Sequence, residues 1–140
     1  MQQVAVGIIV ENGQVLVCQR KRNARYPLKW EFPGGKIEAN EAPENALKRE
    51  LREELSINAT IGKEFHRQEW TYTEGLSNSS DNGTFKVVYY LIDSFKGKPA
   101  NRAFEQLQWV TPSELQKMDI LDGNKEAVNL LVKHTKDDSA

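Results

Sequence analysis

An α/β fold, with a mixed β-sheet held between helices, is the architecture this 140-residue sequence predicts. Three features carry that prediction: β-rich runs alternate with helical patterns, one helix bears a sharply divided apolar and acidic surface, and no internal repeat or linker interrupts the order. The length suits a single domain able to bury its own core. Residues 1–135 are expected to form that domain and residues 136–140 a frayed tail.

Taken from the N-terminus, Val4 to Val10 and Gln14 to Gln19 are β-rich, and the Asn12-Gly13 step between them is a strong hairpin turn signal. Trp30 to Phe32 is a short apolar stretch feeding a turn at Pro33-Gly34-Gly35, where glycine lets the backbone approach a ligand closely. A helix follows. Pro43 suits its first turn, Glu41 and Glu44 favour its positive end, and Leu47, Leu51 and Leu55 recur every four residues as the stripe that pins it to a core. Thr60 to Tyr72 and Phe85 to Ser94 read as longer strands, and the polar segment 73–83 between them as a mobile loop. Gln106 to Val110 is the last predicted strand, Pro112 to Leu115 opens a helical turn, and Lys125 to Lys133 is a terminal helix.

Composition narrows the function classes. Nineteen basic and twenty acidic side chains give a net charge of −1, so long-range attraction to nucleic acid polymers is not expected. The single Cys18 lies in an apolar run and has no internal disulfide partner, so it reads as a buried structural thiol. Neither a signal sequence nor an apolar run of membrane length is evident, which places the expected protein in the cytoplasm, away from membranes. The pattern is neutral between monomer and homodimer.

The chemistry-bearing feature is the run from Glu50 to Glu54. Glu50, Glu53 and Glu54 project within about 100° of one helix face. Each like-charge pair costs roughly 0.2–0.5 kcal/mol, and negative charge near a helix C-terminus also opposes the macrodipole. Such a face is either a solvated acidic surface or the seat of a cation. Because the leucine stripe holds it rigidly, the second reading is favoured. A hard divalent ion that prefers oxygen, Mg²⁺ with Mn²⁺ as a substitute, is the candidate, working beside the phosphates of a small nucleotide.

Gly35, five residues, Glu41, seven residues, then Arg49-Glu50-Leu51-Arg52-Glu53-Glu54-Leu55-Ser56-Ile57 resembles the signature of the Nudix hydrolases. One position departs: Ser56 stands where the family usually has glycine, so the helix must end on a residue less suited to left-handed backbone. The resemblance implies an α/β/α sandwich and metal-dependent hydrolysis of a nucleotide. It implies metal ligation by Glu50, Glu53, Glu54 and the backbone carbonyl of Gly35, with Arg49 orienting one of the carboxylates. Family members differ over which Glu is the general base. Trp30 to Glu38 and Ala5 to Ile9 also resemble the MutT-type branch, which cleaves oxidised purine triphosphates such as 8-oxo-dGTP to monophosphate and pyrophosphate.

By the same resemblance, Arg20 and Asn124 would contact the purine. Asn124 is equally readable as the N-cap of the terminal helix, and Arg20 as a solvated strand end. Phe32 is either pocket or core, and Trp70 and Tyr72 either stack on a base or face a neighbouring strand. Glu105 is a weak candidate for a further acidic contribution, since Gln108 precedes Trp109 where many relatives carry an acid. His66 and His134 lack metal-ligand spacing and read as surface residues. A cytidine-type triphosphate is the rival substrate, ADP-sugars are less favoured, and a non-catalytic nucleotide sensor is the reading from another class.

Overall fold

The computed structural model describes residues 2–72 and 83–138. Strands β1 (Gln2–Ile8), β2 (Val10–Glu11), β3 (Gln14–Gln19), β4 (Trp30–Glu31) and β5 (Gly34–Lys36) precede helix α1 (Pro43–Leu55). Then come β6 (Asn58–Thr71), β7 (Thr84–Lys96), β8 (Gln106–Val110), α2 (Pro112–Gln116), a 3-10 turn (Asp122–Asn124) and α3 (Lys125–Asp138). One sheet runs β5-β1-β7-β6, with β1 parallel to β7 and the other pairings antiparallel. In the other, β3 pairs antiparallel with β2, β4 and β8.

Alternation along the strands sorts the core into two halves. Val6, Ile8, Val15, Val17 and Tyr89 pack with Ala127, Val128 and Leu131 of α3. Their strand neighbours Ala5, Leu16, Cys18, Val88 and Tyr90 pack with Leu47, Leu51 and Leu55 of α1. Because successive side chains leave a strand on opposite faces, one set of strands serves both helices. The three leucines of α1 are fully buried, each worth about 1.5–3 kcal/mol of apolar burial. The expected sandwich is therefore present.

Three details differ from the sequence reading. The run Val4 to Val10 is divided: β1 joins the first sheet, and only Val10–Glu11 forms the hairpin with β3, across Asn12 (φ 53°) and Gly13 (φ 77°). Gly34 and Gly35 do not turn but form β5 against β1, and the glycines are needed because a Cβ on Gly34 would overlap the Ala5 carbonyl. The terminal helix continues to Asp138 instead of stopping at Lys133. The segment predicted as a mobile loop lies, at residues 73–82, outside the described residues.

The end of α1 shows how Ser56 replaces glycine. Ser56 is left-handed (φ 59°, ψ 34°) and donates its N–H to the Arg52 carbonyl. The loop after β7 then caps the helix, with Ala100 N–H bonding Leu55 O at 2.8 Å and Arg102 N–H bonding Glu54 O at 3.1 Å. Arg102 Nε also donates to the Ser56 hydroxyl. Left-handed backbone costs a non-glycine residue roughly 1 kcal/mol, which these bonds offset.

Candidate active site

Helix α1 delivers its carboxylates against β5, and Arg49 organises them. Its guanidinium donates to both oxygens of Glu41, each at 3.0 Å, to Glu50 Oε1 at 2.9 Å and to the Lys36 carbonyl at 3.0 Å. Glu53 stands farther off, 3.6 Å from Arg49 Nη1, with a largely exposed side chain. The paired bonds from Arg49 hold the Glu41 carboxyl down at about 2. Arg49 thus ties Glu50 to Glu41.

Glu54 sits deeper. Its Oε1 accepts the Gly34 N–H at 3.1 Å. Burial, then the neighbouring Glu50 charge, push its carboxyl up to about 8 despite that bond, with Glu31 and Glu53 adding to the rise. Burial likewise raises Glu50, against the opposing pull of Arg49. Gly35 fits beside them because it lacks a side chain: a Cβ there would overlap the Glu50 carboxyl group.

Among the described residues, no three acidic, imidazole or thiol groups converge as a closed metal cage. Glu50 is turned toward Arg49 and Glu54 toward the Gly34 amide. The donor set nonetheless fits a hard divalent cation. It is all oxygen, and the buried crowding that lifts Glu54 is the penalty such an ion removes.

From Glu54 and Gly35 a cavity of about 300 Å³ extends past Arg20, Phe32 and Asn124 to Trp70 and Tyr72. This brings four of the expected substrate and metal residues together with Glu54. Arg20 bonds Glu31 through Nη1 at 3.1 Å and the Arg25 carbonyl through Nε at 2.7 Å. Phe32 is 4% exposed, belongs to the α3-side core and also lines the cavity. Asn124 is buried, and its Oδ1 accepts the Phe32 N–H at 3.1 Å while its Nδ2 donates to the Tyr89 hydroxyl at 3.3 Å. Those bonds tie it across the pocket instead of to a helix N–H. Tyr72 accepts the Gly123 N–H at 2.8 Å, and its ring lies 4.9 Å from that of Tyr26.

Glu105 is not brought into the cavity. It bonds the Arg22 backbone and guanidinium at 3.4 and 3.3 Å, and Arg22 holds its carboxyl below the usual range. His66 is only 15% exposed at its side chain and lies against Tyr89, so it is no surface residue; His134 is exposed. Sequence reasoning passed over Glu31, Tyr89 and Gly123. Glu31 carries a detectable signal, a carboxylate between Trp30 and Phe32 on a buried strand; burial raises it, with Arg20 pulling the other way. Tyr89 looks like any core aromatic until its hydroxyl is followed.

With this geometry in place, comparison with known proteins decides the family. The NUDIX domain profile matches residues 1–131. The chain belongs to the Nudix family. A Haemophilus influenzae protein named 8-oxo-dGTP diphosphatase is 33% identical over 95% of this chain and 93% of its own length. The Escherichia coli CTP pyrophosphohydrolase is 32% identical over 81% of this chain and 78% of its own. A solved MutT structure from methicillin-resistant Staphylococcus aureus 252 superposes with a TM-score of 0.71 at 30% identity, covering 94% of this chain and 96% of that one. The protein is a Nudix hydrolase of the MutT-like group, and such hydrolases generally require a divalent metal ion. No helix among the described residues is long and apolar enough to cross a membrane.

Proposed function

We propose that this Nudix hydrolase is a MutT-like nucleoside triphosphate pyrophosphohydrolase. In this reading it takes an oxidised purine nucleotide of the 8-oxo-dGTP type and releases the monophosphate and pyrophosphate. The observation that carries it is the continuity of the cavity, with Glu54 and Gly35 at one end and aromatic and amide groups at the other. That span suits a ligand with an anionic chain and a flat, hydrogen-bonding base. The names of relatives support the base assignment.

Glu50, Glu53, Glu54 and the backbone carbonyl of Gly35 are proposed to hold Mg²⁺, with Mn²⁺ as a substitute. When bound, the cation neutralises phosphate oxygens and lowers the pKa of water. Arg49 keeps Glu50 oriented from its seat on Glu41. Arg20, on the cavity wall, is proposed to contact the nucleotide, with Phe32, Trp70 and Tyr72 supplying apolar surface for the base. The domain is taken as residues 1–135 and the protein as cytoplasmic.

A cytidine-type triphosphate is the second reading, because the Escherichia coli CTP pyrophosphohydrolase covers most of this chain at similar identity. Pyrophosphate release from 8-oxo-dGTP, dGTP, CTP and dCTP, and AMP release from an ADP-sugar, each with Mg²⁺, separates these. The expected result is the highest kcat/KM for 8-oxo-dGTP. Tight nucleotide binding without hydrolysis of any of them would leave a sensor instead of an enzyme.

A further inference from the structure

A nucleotide brings a flat neutral base and a strongly anionic tail into one cavity, and the charges along the wall decide which end each takes. Among the described residues, Lys36, Arg25 and Arg20 are the cations that line it. Lys36 and Arg25 are exposed, Lys36 directly after Gly35 and Arg25 over the Tyr26 ring at 5.7 Å. Arg20 is set into the wall, with its side chain only 25% exposed. A cation in that place is a hazard, because the donors of a guanidinium match phosphate oxygens as well as a base edge.

Glu31 answers that charge. It leaves β4 between the buried Trp30 and Phe32, and its two carboxylate oxygens accept from Arg20 Nη1 at 3.1 and 3.3 Å. Arg20 Nε is held by the Arg25 carbonyl at 2.7 Å. Nothing among the described residues bonds Nη2, so its two N–H groups remain for a ligand. The charge of Glu31 is felt along the whole cavity, since it adds to the rise of Glu54 at one end and of Tyr72 at the other.

We propose that Glu31 is a positioning residue that acts through Arg20: by cancelling the guanidinium charge it keeps the polyphosphate out of the aromatic end and so fixes the direction in which a nucleotide lies. This rests on the reading of the cavity as a nucleotide site. With Glu31 in place, Arg20 offers N–H donors from a pair of no net charge, which suits a neutral base. Without it the cavity holds an uncompensated cation, and the most anionic part of the substrate competes for that position. A nucleotide bound in reverse has its phosphates away from the α1 carboxylates and is not cut. Selection here works by withdrawing an attraction from the wrong group.

Glu31→Gln keeps the length of the side chain and an oxygen for Arg20 Nη1 while removing the charge. Inorganic tripolyphosphate, titrated by calorimetry with a chelator and no divalent metal, reads the effect directly. Glu31→Gln is expected to bind it roughly tenfold or more tighter than the native protein. The double variant Arg20→Gln/Glu31→Gln is expected to return to native affinity. With Mg²⁺ and nucleotide, reversed binding lowers kcat and KM together and leaves kcat/KM nearly unchanged, whereas loss of an ordinary contact raises KM. Native tripolyphosphate affinity in a folded Glu31→Gln, a gain that survives the loss of Arg20, or a raised KM at constant kcat overturns the proposal. If Glu31→Gln does not fold, Glu31→Asp, whose carboxylate is drawn back by one methylene, should show the same gain in smaller measure, and no gain there overturns it equally. If the native protein hydrolyses no nucleotide, the proposed function fails, and the tripolyphosphate titration, which needs no turnover, still decides the role of Glu31.

Discussion

The two ends of the cavity are held by opposite means. At the α1 end, order comes from charge: Arg49 clamps Glu41 and Glu50, and Glu54 is forced up to about 8 by burial and its acidic neighbours. At the α3 end, order comes from neutral hydrogen bonds through Gly123, Tyr89 and Asn124, and the Tyr72 hydroxyl is pushed up to about 12 chiefly by burial. The first end is under electrostatic tension that a cation relieves. The second is satisfied already by its own hydrogen bonds.

Breaking the charged end should cost most. Glu53→Gln is expected to reduce kcat by about 10²-fold or more, several kcal/mol of barrier, with little change in melting temperature because the side chain is largely exposed. Gly35→Ala presses a methyl group into the Glu50 carboxyl and should lower metal-dependent turnover by about tenfold or more, measured as a rise in the Mg²⁺ concentration needed. An unchanged Mg²⁺ requirement would remove Gly35 and Glu50 from the metal site.

The contrast sharpens with pH. The native state keeps a proton on Glu54 up to about 8, whereas an unfolded Glu releases it near 4.5. Between those values the folded protein binds more protons than the unfolded chain, so stability falls as pH rises from 4.5 to 8 and levels off above. Urea unfolding without divalent ions should show a decline of a few kcal/mol at most across that window. Saturating Mg²⁺ should flatten it. Glu54→Gln should shrink it, at the expense of activity, leaving what the raised Glu50 and Glu31 carboxyls contribute. Nothing comparable is expected from the α3 end, whose network is neutral.

At that end, Asn124→Ala strips the Phe32 N–H of its acceptor and should destabilise the protein by about 1–3 kcal/mol while lowering the preference for 8-oxo-dGTP. A lower melting temperature with the preference intact would make Asn124 structural only. The smallest effect is expected outside both ends: Ser56→Gly relieves left-handed strain and should stabilise by up to about 1 kcal/mol in thermal unfolding, less whatever the Arg102 bond contributes.

The same contrast explains what the sequence discloses. Glu50, Glu53, Glu54 and Arg49 are neighbours in the chain, so helical spacing alone brings them to one face. The leucine stripe, the Asn12-Gly13 turn and the extent of α1 were legible for the same reason, each being a local pattern. The α3 end is assembled from β4, β6, β7 and the turn at Asp122–Asn124, and nothing in the separation of Phe32, Tyr89 and Asn124 announces their contact. Gly34 and Gly35 misled for a related reason. Their lack of side chains answers to Ala5 on another strand and Glu50 on a helix, not to a local turn.

Cys18 has a consequence of its own. It is fully buried beneath α1, and burial, with Glu31 and Glu54 adding, raises its thiol well above the ordinary value. Peroxides attack the thiolate, so the oxidants that damage free nucleotides find no sulfur to convert to a sulfenic acid while the chain stays folded. A disulfide reagent such as dithionitrobenzoate would react only as fast as that side of the core opens, and the rate of colour development would time the unfolding of the sandwich itself.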